Sequence, residues 1–278
     1  MDDTAAPRPS AEVLRAFGVA HAPLEHLDGG QGQTWRAGPV VLRPHGAVQE
    51  ARWRSDTLAH LRHTDAFRTP RPVPTVAGGG QAGGWLTGGW EAWEWLDGAT
   101  DPTRVEDVIV AGAAFHHALA DLPRPGFLDA LDGPWATADR MVWGAVALPA
   151  DPTLEQLASV FRPVSSPSQL IHGDLLGNVL FAHGQPPAVF DWAPYWRPAG
   201  LGAAIAAVDA VCWHDVPLTR LGALGAGVPE WSQLLVRALA FRIATLVLLG
   251  AWDRAQTDHH RPVVAALVQG AAGTLVVS

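Results

Sequence analysis

A chain of 278 residues with 48% apolar content suits one large domain or two lobes sharing a cleft, with a substantial core. The net charge is −8 and all 19 basic residues are arginine, which excludes a P-loop lysine, a Schiff-base lysine and the usual kinase lysine. There is no basic run, so a nucleic-acid partner is not expected.

The start, Met1-Asp2-Asp3-Thr4, is acidic and lacks an apolar segment, so no signal peptide is expected. Residues 22–27 lead through the glycine-rich stretch 28–33 into Thr34-Trp35-Arg36, the turn Ala37-Gly38-Pro39 and Val40-Val41-Leu42-Arg43. This pattern predicts successive antiparallel strands joined by glycine turns. A helix is predicted over 47–61, with Val48, Ala51, Leu58 and Leu61 on its apolar side. A Pro- and Gly-rich connector follows over 69–84, and residues 85–87 and 90–96 return as strands.

Beyond Asp97-Gly98 the pattern becomes helical. A helix over 103–122 opens on a capping-box pattern, Thr103 with Glu106. Further helices are predicted near 134–148, 153–161, 203–213, 231–255 and 262–270. The lone Cys212 excludes intramolecular disulfides and cysteine zinc sites. The most apolar stretch, 234–252, carries Arg237 and Arg242, so a buried helix is expected rather than a membrane span. The expected location is the cytoplasm. His116-His117 and His259-His260 lack the i, i+4 spacing of a helical zinc site; the first pair is expected at a core helix face, the second in an exposed loop.

The segment Gln169-Leu170-Ile171-His172-Gly173-Asp174-Leu175-Leu176-Gly177-Asn178-Val179-Leu180-Phe181, followed by Ala188-Val189-Phe190-Asp191-Trp192, carries the chemistry. It holds what phosphoryl transfer needs: a carboxylate to receive a hydroxyl proton, then an amide and a second carboxylate for Mg²⁺. Residues 178–182 and 187–191 read as two short strands around a turn at 183–186. A symmetric turn would set Asn178 opposite Asp191, with Cβ atoms about 5 Å apart. Singly these residues are ordinary turn formers; together with the strand-rich region upstream they favour function. A metallophosphoesterase pattern would require His after Gly177-Asn178, where Val179 stands.

These residues resemble the aminoglycoside phosphotransferase-like superfamily, which shares the protein-kinase fold. The resemblance spans nearly the whole chain and is specific over 169–213, where Tyr195-Trp196-Arg197-Pro198 is similar to an uncharacterised actinobacterial-type branch. It implies an α+β, bilobal protein-kinase-like fold: a small antiparallel-sheet N-lobe (1–96) for nucleotide, and a larger helical C-lobe (97–278) with a catalytic β-hairpin and the substrate site. It implies that Asp174 is the catalytic carboxylate, with His172 as the catalytic-loop histidine, which usually supports the loop. It implies that Asn178 and Asp191 are Mg²⁺ ligands, and that Asp209 matches the buried acid anchoring the loop from a helix.

The N-terminal match rests on Gly30-Gln31-Gly32, Arg43 and Glu50 as the nucleotide-binding set. Arg43 stands where relatives carry a lysine. Glu50 either pairs with Arg43 or is a solvated helix residue beside Arg52 and Arg54. Arg197 either packs or meets substrate. The catalytic loop is one residue short: Asn178 follows Asp174 by four positions where kinase loops use five, and Gly177 is the residue able to absorb it.

The expected activity is transfer of the γ-phosphate of ATP or GTP to a hydroxyl of a small molecule. The alternative is a kinase-fold nucleotide-binding or regulatory protein without transfer. Partners are then nucleotide and a small hydroxyl compound, with no nucleic acid and no membrane.

Overall fold

The computed structural model describes residues 7–27, 32–76 and 84–272. In chain order the elements are α1 (Ala11–Ala16), β1 (Leu24–Leu27), β2 (Thr34–Ala37), β3 (Val40–Pro44), α2 (Val48–His60), β4 (Leu86–Thr87), β5 (Trp90–Glu94), β6 (Ala99–Thr100) and α3 (Val105–Ala118). There follow α4 (Pro134–Val142), α5 (Pro152–Ala158), β7 (Ser168–His172), β8 (Val179–Phe181), β9 (Ala188–Val189), β10 (Pro194–Pro198), α6 (Gly200–Trp213), α7 (Leu221–Leu224), α8 (Trp231–Leu248) and α9 (Arg254–Ala272).

The chain forms two compact units, Met1–Gly98 with Ala182–Phe190, and Ala99–Phe181 with Asp191–Ser278. In the first, a five-stranded antiparallel sheet runs in the order β1-β2-β3-β5-β4. Val13 from α1 and Phe17 at its C-cap join Val40, Leu42, Trp90 and Ala92 from the strands in one core. The segment 182–190 joins this unit through Arg68, whose N–H donates to the Pro187 carbonyl at 2.8 Å and whose carbonyl accepts from Val189 at 2.8 Å.

The second unit is helical around a two-stranded antiparallel ribbon of β7 and β10. Short β6 pairs with β8 in the register Ala99↔Phe181 and Thr100↔Leu180. Phe115, Leu119, Leu170, Ile171, Leu239 and Ile243 form its wholly buried interior. Helix α8 has the length and composition of a membrane span, but 67% of that window is buried inside the protein. Its Arg237 donates to the carbonyl of Val142, the last residue of α4, and to that of Arg162 in the coil after α5, with the guanidinium 4.6 Å from the centroids of both Trp143 and Phe161.

Three local expectations fail for physical reasons. The Thr103–Glu106 capping box does not form: Asp101 takes the Thr103 N–H at 2.9 Å and its hydroxyl at 2.6 Å, and the helix begins two residues later with Arg104 at the cap. The helix over 134–148 stops at Val142, and the chain passes through Gly144 at φ 79°. The last helix starts at Arg254, not Pro262, and runs through that proline. His259 and His260 therefore lie in helix, and His260 is buried with ring centroids 5.2 Å from both Trp213 and Trp252. Aromatic packing outweighs the proline signal there.

Candidate active site

The loop 172–178 is held from beneath by histidines. His172 ends β7 opposite Pro194 on β10, and the pairing continues with the Gly173 N–H donating to the Ala193 carbonyl at 3.0 Å. The His172 N–H donates to His116 Nε2 at 2.9 Å, and His116 Nδ1 lies 3.1 Å from the Ala199 carbonyl. One neutral tautomer, protonated at Nδ1, satisfies both. A Cβ on Gly202 would lie 2.6 Å from His116 Cε1 and 2.7 Å from the His172 carbonyl oxygen, so α6 approaches this pair only because residue 202 is glycine.

Burial, and then the neighbouring His172, push His116 down from its ordinary 6.5 to about 3. The folded value lies below the unfolded one, so the unfolded state takes up the proton first. Stability present above pH 6.5 is lost as the pH falls towards 3. This one group is expected to cost about 2 kcal/mol between pH 7 and 5. Urea unfolding at both pH values checks it: His116→Gln should lose about 2 kcal/mol less than the parent over that interval. An equal loss in both proteins would contradict the assignment.

His172 is wholly buried. Its Nδ1 accepts the Asp174 N–H at 3.1 Å, a contact that supports the loop. The Asp174 side chain is 45% exposed. Its Oδ1 accepts from Arg242 Nη2 at 2.6 Å, and its Oδ2 from Asn178 Nδ2 at 3.2 Å. Asn178 Nδ2 also donates to the Asp174 carbonyl at 2.7 Å, and its backbone N–H to the Leu175 carbonyl at 2.9 Å.

That compact turn is how the one-residue shortening is accommodated. It needs Gly177 at φ 90°, a region closed to most side chains. Gly177→Ala is expected to cost about 1–3 kcal/mol, read as a lower urea midpoint. An unchanged midpoint would show that the turn tolerates a side chain.

Behind Asp174 lies a second acid. Arg242 on α8 donates through Nε to Asp209 Oδ1 at 2.9 Å and through Nη2 to Asp209 Oδ2. Burial raises Asp209, and Arg242 pulls it back only in part. Burial acts to lower Arg242, but Asp209 and then Asp174 outweigh it and raise it, so it stays charged.

The oxygen set suits Mg²⁺. The Asn178 amide turns its nitrogen to Asp174, which leaves Oδ1 as a hard oxygen donor, and Asp191 is an exposed carboxylate at φ 47°. Among the described residues no group of three or more His, Cys, Asp or Glu could hold a metal by itself. Mg²⁺ commonly takes only one or two carboxylates and completes its shell with phosphate and water, so this does not conflict.

In the first unit, Gly30 and Gln31 lie outside the described residues. Gly32 sits at φ 69°, its carbonyl 2.9 Å from His26 Nε2. Arg43 on β3 is in register with Glu91 on β5 and donates to it through Nε at 2.5 Å. Glu91 also receives Arg54 Nη2 at 2.9 and 3.1 Å. Glu50 pairs with Arg54, one helical turn on, at 3.1 Å. The ion-pair partner of Glu50 is therefore Arg54, not Arg43, because Arg54 stands between it and the sheet. Burial pushes the Glu91 carboxyl up, but Arg43 and Arg54 together hold it below its ordinary value.

Arg197 is drawn into packing: it pairs with Asp139 at 2.5 and 2.8 Å and its guanidinium lies 4.9 Å from the Trp143 centroid.

Both units have the arrangement of known phosphotransferases. The chain aligns with aminoglycoside phosphotransferase from Alicyclobacillus acidocaldarius at 16% identity and TM-score 0.54, covering 97% of this chain and 96% of that one. Spectinomycin phosphotransferase APH(9)-Ia, solved with ADP and spectinomycin, aligns at 13% identity and TM-score 0.56 over 94% and 97%. A thermostable variant of aminoglycoside phosphotransferase APH(4)-Ia, in ternary complex with ADP and hygromycin B, aligns at 15% identity and TM-score 0.60 over 95% and 98%. No curated protein sequence matches the chain. The fold is the α+β, protein-kinase-like fold of these enzymes.

The model of the phosphotransferase enzyme family matches residues 25–212, and the chain belongs to that family. It is a small-molecule phosphotransferase.

Proposed function

We propose that the chain moves the γ-phosphate of ATP or GTP to a hydroxyl of a small molecule, with Mg²⁺ bound by Asn178 and Asp191. The observation that carries this is Asp174, a half-exposed carboxylate with Oδ1 tied to Arg242 and Oδ2 under only a long bond from Asn178. In this reading the acceptor hydroxyl donates to Oδ2. Its oxygen forms the new bond to the γ-phosphorus as the β–γ bridging bond breaks, and its proton passes to Asp174.

His116 and His172 hold the loop and do not react. Arg43, held by Glu91, is the candidate to meet nucleotide phosphates, with Gly30, Gln31 and Gly32 as the other residues of the nucleotide set; arginine keeps the lysine's charge and can grip phosphate through two N–H groups. Bound Mg²⁺ would neutralise phosphate charge. Catalysis is then mostly positioning and electrostatics. ADP and AMP-PNP in solved relatives support a nucleotide donor, and cytoplasmic nucleotide would supply it.

The acceptor class is tested with a panel of hydroxyl compounds, following Mg²⁺-dependent nucleotide turnover and, in parallel, nucleotide binding by calorimetry. Acceptor-stimulated turnover that vanishes with chelator is expected. Tight nucleotide binding with no turnover for any acceptor would favour the regulatory alternative.

A further inference from the structure

We propose that Arg242, clamped by Asp209, is a positioning residue that fixes the rotamer of Asp174 so that Oδ2 faces the acceptor hydroxyl. The inference rests on the transferase reading for its catalytic consequence, and on geometry alone for the clamp. Helix α6 is apolar from end to end apart from Asp209, its one charged residue. Helix α8 carries two charges, Arg237 and Arg242; the first is used on the carbonyls of Val142 and Arg162 described above.

Arg242 and Asp209 are 14% and 10% exposed at the side chain. Burying such a pair costs more desolvation than an apolar pair of similar size, so stability alone does not explain it. What the pair gains is a direction. A planar fork gripping Asp209 with Nε and Nη2 has no rotational freedom left, and the same Nη2 presents its other hydrogen to Asp174 Oδ1 at 2.6 Å. The Arg242 guanidinium lies 5.5 Å from the Phe241 centroid, and Phe241 packs edge-on to Tyr195, 5.8 Å away on β10.

Two helices therefore converge on Oδ1, α6 through Asp209 and α8 through Arg242, while the short loop reaches Oδ2 through Asn178 by a longer bond of 3.2 Å. Oδ2, the more weakly held oxygen, is left for chemistry. A lysine at 242 would keep the charge but could not hold two acids with one rigid plane.

The test compares the parent with the double variant Asp209→Leu/Arg242→Met and with Arg242→Lys. The double variant removes both charges together and should keep its urea midpoint. Amide hydrogen exchange over 172–178 is expected to quicken on the order of tenfold in the double variant, with exchange elsewhere unchanged. The ratio of acceptor phosphorylation to uncoupled nucleotide hydrolysis is expected to fall on the order of 10²-fold, with nucleotide KM unchanged and Arg242→Lys intermediate. A partly unfolded sample lowers both rates together and leaves that ratio alone.

Unchanged exchange and an unchanged ratio in a folded double variant would overturn the proposal. If the double variant fails to fold, Arg242→Lys with parental ratio and exchange would overturn it equally. If the parent transfers to no hydroxyl compound, the transferase reading fails, and the exchange experiment alone decides the clamp.

Discussion

Asp174→Asn is expected to lower kcat by about 10²–10⁴-fold, the usual contribution of a positioned general base, while leaving nucleotide KM unchanged. The amide keeps the shape and still meets Arg242, but it cannot take the acceptor proton. Its neutral Oδ1 also binds Arg242 less strongly than the carboxylate, whose bond is 2.6 Å. Because Asp174 is 45% exposed, the fold should persist, and the variant should unfold close to the parent's midpoint. Steady-state transfer kinetics with the best acceptor check this. Parental kcat in the variant would remove Asp174 from the chemistry.

The largest effect on stability is expected at Glu91→Gln. Glu91 is 1% exposed at its side chain and sits between Arg43 and Arg54, so an amide there leaves two guanidinium groups without their shared carboxylate. Breaking such a buried pair costs about 3–5 kcal/mol, which is much of the stability of a typical domain. Chemical denaturation of the first unit's transition checks it, with Glu50→Gln as the comparison. Glu50 is 21% exposed and, among the described residues, pairs with its helical neighbour Arg54, so its loss should cost about 0.5 kcal/mol. Equal losses at the two positions would contradict the arrangement in which Glu91 is the hub.

These two residues mark the limit of what the sequence discloses. Asp174, Asn178 and Asp191 are legible because a short segment with an unusual set of polar groups carries them, and Gly177 is legible as the one glycine between Asp174 and Asn178. Helix α2 is legible from Ala51, Leu58 and Leu61, although Val48, expected on the same side, is exposed and Arg54 and Ser55 share the buried face; the strands β2 and β3 are legible from their turn glycine. Glu91 is 48 residues from Arg43, and its partnership depends on β3 pairing with β5 in one particular register. Before that register is known, Glu91 is one more polar residue in an aromatic strand.

Arg242 is 68 residues from Asp174. The apolar run around it does signal that its charge must be paired within the protein, but not with which acid. Glu50 illustrates the opposite error. Its position in the first turn of α2 invites a pairing with Arg43, and only packing reveals that Arg54, on the same helix face, takes it first.

The central claim is phosphoryl transfer to a hydroxyl through Asp174, and the most direct measurement is mass spectrometry of a hydroxyl acceptor incubated with Mg²⁺-nucleotide and the protein. The account predicts an acceptor carrying one added phosphoryl group, formed by the parent and abolished both by chelator and by Asp174→Asn. Phosphorylated acceptor formed equally well by Asp174→Asn, or nucleotide bound with no acceptor ever modified, would contradict it.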